Sequence, residues 1–149
     1  DKTVEQRVGQ MLERCGADTP DMTFSQWADF LLSLERLDEA WTEKLTELKC
    51  AEIDFAGFCE YMRGRETEYE QLLVYLIYRH FANSPDAWEA AARAAFAALG
   101  YMMIYSLGAV EYTKKGEFTF DYQVELCRLF SSEIEYSDEN LYEVIEMMY

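Results

Sequence analysis

The sequence from Ala87 to Val110, AWEAAARAAFAALGYMMIYSLGAV, decides the fold of this 149-residue chain. Its alanines are small enough to let neighbouring helices approach closely. Seventeen consecutive residues, from Ala94 to Val110, carry no charge, slightly fewer than the roughly 20 apolar residues that span a bilayer. Because Ser106, two glycines and two tyrosines interrupt this run, we interpret it as a buried central helix and not as a membrane span.

The flanking residues indicate where this helix begins and ends. Ser84 is a capping hydroxyl, Pro85 suits the first helical position, and Asp86 is an acid near the positive end of the helix dipole. This order predicts a helix start at residue 84. Glycine is common just past a helix end, so Gly108 or Gly116 is expected to end or interrupt the helix.

Further helices are indicated on both sides of this stretch. Apolar residues recur at helical spacing, and no alternating run of strand length competes with them. The predicted capping residues are Thr3 with Gln6, Thr23 with Gln26, Asp38, Thr119 and Ser137. Val124 and Cys127 are expected on one side of the helix after Thr119. We predict an all-α protein in which residues 1–149 form one compact domain of seven or eight helices, with subregions 1–64 and 65–149.

The formal net charge of −16 limits the partners of the chain. Such a field repels phosphate backbones and anionic lipids, so we expect neither nucleic-acid nor membrane binding. It attracts a basic protein partner, although plain solubility is the simpler explanation of the charge. Half of the residues are hydrophobic and 15% are aromatic, which excludes a disordered chain.

The cysteines do not indicate a metal site. They are Cys15, Cys50, Cys59 and Cys127. This spacing is too wide for a CxxC module, and the chain has a single histidine. Each cysteine lies in an amphipathic pattern and no secretory segment is present, so we expect buried free thiols and a cytoplasmic location. The chain begins at Asp1 without a targeting pattern, which indicates a piece of a longer protein.

The stretch from Tyr69 to Phe81, YEQLLVYLIYRHF, ends an apolar helix in two strong hydrogen-bond donors. A buried Arg79 guanidinium needs a carboxylate or several carbonyls, because an unpaired buried charge is very costly. Tyr75 lies one turn earlier and can face the same polar pocket. His80 points about 100° away from Arg79 around the helix, and we interpret it as a packed or half-exposed residue and not as a general base.

A second polar cluster, SSEIEYSDENL, runs from Ser131 to Leu141. Glu133 and Glu135 precede the predicted cap at Ser137, so their carboxylates are able to point away from the following helix. We expect Arg79 to form an ion pair with one of them, and binding of an anion or a substrate carboxylate is the alternative. Packing explains the many tyrosines, although tyrosines around a pocket would also suit a methylammonium or another cation.

These two clusters, separated by the alanine-rich helix, resemble the C-terminal part of the flagellin lysine N-methylase family. The segments that carry the resemblance are YEQLLVYLIYRHF and EFTFDYQVELCRLFSSEIEYSDENL, and it is strongest from Tyr69 to Leu141. Members of this family are bacterial proteins that methylate lysine side chains of flagellin. The chain matches the family pattern at Arg79, Glu133 and Asn140.

The resemblance implies a methylase that uses S-adenosylmethionine and that has an N-terminal cysteine-rich module holding a metal or iron–sulfur centre. That cysteine pattern is absent from this chain, so we expect a C-terminal scaffold or substrate-engaging domain that is not catalytic alone and whose protein partner is flagellin. Ser132 and Tyr136 stand where the family commonly has arginine and histidine. No catalytic role is therefore assigned to this cluster.

Two other functions are compatible with the sequence. A non-enzymatic dimerisation or ligand-sensing module would use the alanine-rich helix as a homodimer interface. A small independent enzyme is the third alternative, but no nucleophile can be paired with a base, and no glycine-rich phosphate loop is present. Arg79, Glu133, Asn140 and Tyr75 are thus candidate binding or anchoring residues without assigned chemistry.

Overall fold

The computed structural model describes residues 4–17, 19–82 and 84–149. Within those ranges the chain forms eight α-helices and two π-helical turns and no strand. The α-helices are α1 (Val4–Cys15), α2 (Phe24–Ser33), α3 (Glu39–Cys50), α4 (Phe55–Tyr61), α5 (Glu66–Leu76), α6 (Ala87–Lys115), α7 (Phe120–Phe130) and α8 (Asp138–Glu146). The π-helical turns, π1 (Ile77–Phe81) and π2 (Ser131–Glu135), directly continue α5 and α7. The predicted all-α fold is confirmed.

The chain divides into two compact units. Unit 1 comprises Asp1–Pro20, Arg63–Met102 and Glu143–Tyr149, and unit 2 comprises Asp21–Met62 and Met103–Tyr142. The predicted division after residue 64 lies close to one boundary between the units. The other boundaries were not visible in the sequence, because one of them falls inside α6, whose residues belong partly to each unit.

Unit 1 has its core along the first part of α6. The alanines between residues 92 and 98 are almost fully buried there. Tyr69 of α5 meets Tyr101 of α6 edge-on, with ring centroids 5.8 Å apart. Helix α1 ends just before Gly16, whose φ of +62° lies in the left-handed region that glycine adopts without strain.

The tryptophan-bearing helices supply much of the core of unit 2. Trp27 on α2 and Trp41 on α3 are 3% and 1% exposed. Trp41 packs edge-on against Phe130 of α7, with ring centroids 6.3 Å apart. The stripes predicted on these helices therefore face the interior, and α7 is fixed to α3 by a large aromatic contact.

Most of the predicted caps are confirmed. Thr23 and Gln26 form a capping box in which each side chain accepts a hydrogen bond from the other residue's backbone N–H, at 3.2 and 2.8 Å. Asp38 accepts from the amide of Ala40 at 2.9 Å. Thr119 and Ser137 cap α7 and α8. The capping box predicted at residue 3 lies outside the described residues.

The start of α6 lies two residues later than predicted, since the cap is Asp86 and not Ser84. The helix begins at Ala87, and the Asp86 carboxylate accepts a hydrogen bond from the amide of Glu89 at 2.9 Å. Ser84 instead donates its hydroxyl to the carbonyl of Phe81 at 2.7 Å, closing the turn after π1. Asp86 therefore takes the capping role, because its carboxylate reaches the third helical amide.

The end of α6 is at the second of the two glycines that the sequence offered. Gly108 continues the helix, whereas Gly116 has a φ of +73° and donates its amide to the carbonyl of Tyr112 at 2.7 Å. Only a residue without a Cβ adopts this conformation readily, so the chain turns here into the short connection before α7.

The burial of α6 bears on its interpretation as a membrane span and on the use of its alanines as a homodimer interface. It is long and apolar enough to cross a membrane, but 94% of its apolar window is buried inside the protein, as in the core helix of a soluble protein. Its alanines from 92 to 98 are covered within the monomer. They therefore do not provide the homodimer interface that the dimerisation alternative required.

The prediction of buried cysteines is wrong for two of the four. The cysteines are outside disulfides as expected, but Cys50 and Cys59 are exposed, because they lie on the solvent side of α3 and α4. On α7, Val124 is 50% exposed. The buried side of that helix consists of Gln123, Leu126, Leu129 and Phe130.

Candidate functional site

The two polar segments selected from the sequence both adopt π-helical turns. Arg79 and His80 lie on π1 in unit 1, and Glu133 lies on π2 in unit 2. A π-helical turn interrupts the α-helical spacing of side chains, and such turns are frequent at functional sites. Helical periodicity alone does not reveal either turn.

His80 is a packed residue, as predicted. Its side chain is 3% exposed, and its ring meets Phe96 of α6 edge-on at a centroid distance of 4.7 Å. The guanidinium of Arg93 donates to the carbonyl of His80 at 3.5 Å. These contacts attach π1 to α6 within unit 1, so His80 serves the packing of this segment.

Arg79 and Tyr75 lie on the less covered side of the same segment. Tyr75 is 43% exposed, and Arg79 is half-buried. Arg79 is therefore not a fully buried charge, and Tyr75 is open to solvent. The ion pair of Arg79 with Glu133 or Glu135 stays a prediction, as does anion binding by Arg79.

Glu133 holds the connection between α2 and α3. Its side chain is buried, and one carboxylate oxygen accepts from the amide of Asp38 at 2.7 Å while the other accepts from the amide of Leu37 at 3.0 Å. Since Asp38 caps α3, the carboxylate lies at the positive end of that helix. The buried charge is thereby stabilised by backbone donors.

Asn140 completes the same arrangement from α8. It is 3% exposed, and its side-chain amide donates to the carbonyls of Glu35 and Glu133, both at 2.8 Å. Two of the predicted site residues are therefore brought together within unit 2. Their observed partners are backbone groups, which makes them anchors of the α2–α3 connection.

A different cluster in unit 2 joins a phenol to ammonium and carboxylate groups. We name it the Tyr122 cluster: Lys44 of α3, Glu111 and Lys115 of α6, and Tyr122 of α7. The ammonium of Lys44 donates to the Tyr122 hydroxyl at 2.7 Å and lies 4.4 Å from the centre of its ring. The ammonium of Lys115 lies 5.7 Å from the same centre and forms an ion pair with Glu111.

The environment of the Tyr122 cluster keeps the phenol protonated. Burial raises the pKa of Tyr122 above its usual value, and the negative charge of Glu111 and its hydrogen bond with the phenol raise that pKa further. Because Lys44 donates to the phenol oxygen, the phenol proton is available to Glu111. Glu111 itself is only 5% exposed. Its charge is therefore satisfied by a phenol and by an ammonium.

Aromatic packing fixes the position of Tyr122. Its ring contacts Phe118, which is buried in the connection after Gly116, at a centroid distance of 5.8 Å. Phe118 also packs edge-on against Phe58 of α4, and its amide donates to the hydroxyl of Tyr61 at 3.1 Å. The phenol thus belongs to a packed aromatic core.

The Tyr122 cluster was missed in the sequence because its members are far apart along the chain. Lys44 and Tyr122 are separated by 78 positions. The one available sign was the Glu111 and Lys115 pair at a spacing of four on α6, which is an ordinary helical ion pair. Binding of a cation by tyrosines around a pocket stays a prediction, since the ammonium groups at the Tyr122 ring belong to lysines of the same chain.

The fold and these sites define an acidic, all-α domain in which Glu133 is paired with backbone amides and Glu111 and Tyr122 contact lysine ammonium groups of the same chain. Residues 8–149 match the family model described as the FliB lysine N-methylase C-terminal domain, and the chain belongs to this family. The match includes the tryptophan-bearing helices and so extends well beyond the region of strongest resemblance. No curated protein and no solved structure matches the chain.

Proposed function

We propose that this chain is the substrate-engaging C-terminal domain of a cytoplasmic bacterial lysine N-methylase that acts on flagellin. The observation that carries the proposal is the family match over residues 8–149. In this function the domain holds a lysine-bearing protein, and the methyl transfer depends on other parts of the parent enzyme.

The charge of the chain supports a role in substrate engagement. A net charge of −16 produces a field that attracts lysine side chains and accelerates their encounter with the domain. The Tyr122 cluster provides a local counterpart, because it places a buried carboxylate and an aromatic ring around ammonium groups. The net charge of the domain and the Tyr122 cluster would therefore both favour lysine ammonium groups, the first at long range and the second in direct contact.

The cofactors of the proposed reaction are assigned to the rest of the parent enzyme. S-adenosylmethionine supplies the methyl group from its sulfonium, and the lysine amine must lose a proton before it can accept that group. Among the described residues, no group of three or more His, Cys, Asp or Glu side chains is placed to hold a metal ion. An iron–sulfur centre requires several converging thiolates, and the cysteines lie on four different helices. The described residues do not fit such a centre.

Calorimetric titration of S-adenosylmethionine into this chain and into the full-length parent tests the assignment. We expect heat of binding with the parent and none with the chain. Binding to the chain itself would move the donor site into this domain and overturn the assignment.

Mass spectrometry of flagellin after incubation with the parent and S-adenosylmethionine tests the reaction. We expect additions of one methyl mass or more at lysines. A parent enzyme that binds S-adenosylmethionine but leaves flagellin lysines unmodified would contradict the proposed function.

A further inference from the structure

We propose that the Tyr122 cluster and the cavity near it form the site that receives a lysine side chain of the substrate protein. In the free domain, the domain's own Lys44 and Lys115 occupy this site. The inference rests on the proposed function, because it assumes that the partner of the domain is a lysine-bearing protein.

The groups that accept the ammonium are fixed in place. Glu111 is 5% exposed on the long helix α6, and Tyr122 is held by its contact with Phe118. A carboxylate with so little access to water needs hydrogen-bond donors or a cation, and Glu111 forms an ion pair with the ammonium of Lys115. The site therefore holds a positive charge in the free domain, and an incoming ammonium is able to supply that charge instead.

The groups that occupy the site are more exposed to solvent than Glu111. The chain contains five lysines, and Lys44 and Lys115 both bring their ammonium groups to the Tyr122 ring. The Lys115 side chain is 57% exposed, and Lys44 is partly exposed. Because solvent reaches these lysines, an incoming ammonium is able to take their place, and Glu111 then keeps a cationic partner.

A cavity of about 420 Å³ lies between α3 and α6 in the same unit. Its size is within the range of about 300–1,000 Å³ that is usual for ligand sites. Glu47 and Lys114 line it and form an ion pair at 2.9 Å. Glu47 lies one helical turn after Lys44 on α3, and Lys114 directly precedes Lys115 on α6, so the cavity adjoins the Tyr122 cluster along both helices. A lysine entering here would find apolar wall at Val110 and Ala51 for its methylene chain.

The chemistry of the site favours an ammonium over other cations. A phenol oxygen and a carboxylate accept N–H donors, and the ring face attracts an ammonium or a methylammonium. A guanidinium pairs best with both oxygens of a carboxylate, whereas the Glu111 carboxylate is also hydrogen-bonded to the Tyr122 phenol. The site is thus suited to lysine before and after methylation, and it positions the substrate without taking part in the transfer.

Nuclear magnetic resonance titration of the chain tests the inference with two peptides. One is acetyl-Gly-Ser-Gly-Lys-Gly-Ser-Gly-amide, and the other has norleucine in place of its lysine. We expect the lysine peptide to shift the amide signals around residues 44, 111 and 122, and the norleucine peptide to leave them in place. Equal shifts with both peptides, or none with either, would overturn the inference.

Two variants test the internal lysine and the accepting carboxylate of the site separately. Lys44→Met keeps the length of the side chain but removes one occupant, so we expect the lysine peptide to bind about two- to fivefold more tightly. Glu111→Gln keeps the volume but removes the charge, and we expect binding to weaken by about tenfold or more. Lys49→Met is the control, because Lys49 pairs with Asp29, and we expect unchanged binding. An unchanged affinity in Lys44→Met would contradict the inference even if Glu111→Gln failed to fold.

Flagellin methylation by the parent enzyme and the peptide titration of the chain together separate the two proposals. If the parent methylates flagellin but the peptide titration fails, the lysine site is wrong and the proposed function stands. If the parent modifies no lysine of flagellin, the proposed function is wrong, and the peptide titration still decides whether the cluster binds a lysine ammonium.

Discussion

At the scale of single residues, Glu133 illustrates what the sequence can and cannot reveal. Its position before a helix cap indicated a carboxylate free to point away from the following helix. Its partners, the amides of Leu37 and Asp38, are 95 or more positions away and are backbone groups that any residue type carries. A sequence therefore identifies the unusual acid, but its partner emerges only from the fold.

Replacement of Glu133 by alanine is expected to destabilise the domain by about 2–4 kcal/mol, because two backbone N–H groups lose a charged acceptor. Denaturation by urea, followed by circular dichroism, measures the change. Glu139→Ala is the matched control: it is an exposed acid in the first turn of α8, and its loss should cost less than about 1 kcal/mol. Equal effects of the two substitutions would show that the contacts of Glu133 do not stabilise the fold.

Tyr122 predicts a dependence of stability on alkaline pH. Its pKa is raised in the folded state, so above the ordinary phenol pKa of about 10 the unfolded chain loses its proton first. Stability is fully present below that pH and falls as pH rises above it. Between pH 9 and 11, we expect the free energy of unfolding to fall less in Tyr122→Phe than in the wild type. The difference should be about half or more of the pH dependence that one such group contributes. Tyr142→Phe, at a ring that is 62% exposed, should keep the wild-type slope, and identical slopes in all three proteins would contradict the prediction.

At the scale of elements, the sequence predicts which segments are helical more accurately than it predicts where the helices begin. It does not predict the π-helical turns, which change the spacing of side chains. Apolar stripes on α2 and α3 and the caps at Thr23 and Asp38 were all readable, because they depend on residues a few positions apart. The start of α6 was not, because Ser84 and Asp86 are both good capping residues. Asp86 caps the helix because the Ser84 hydroxyl donates its hydrogen bond to the carbonyl of Phe81 instead.

Substitutions of Asp86 test the observed cap of α6. Asparagine also accepts a hydrogen bond at this position, so Asp86→Asn should stay near the wild-type stability, whereas Asp86→Ala should lose about 1 kcal/mol. Thermal and urea denaturation measure both variants. If Asp86→Ala were as stable as Asp86→Asn, the carboxylate would not be the cap.

At the scale of the whole molecule, the central helix was predictable and the division into units was not. The uncharged run within α6 identifies a buried helix from composition and length alone. The units are each assembled from separate segments, and a boundary inside α6 changes neither composition nor periodicity. Charge, in contrast, is a property of the whole chain that the sequence states directly, and it carries the expectation of a basic partner.

The most direct test of substrate engagement is steady-state methylation of flagellin by the full-length parent, with and without Glu111→Gln in this domain. Because Glu111 is assigned to holding the substrate lysine and not to the transfer, we expect the KM for flagellin to rise by about tenfold, with kcat unchanged. Lys49→Met should alter neither constant. A loss of kcat with an unchanged KM, or no change in either constant, would contradict the role of this domain in binding the substrate lysine.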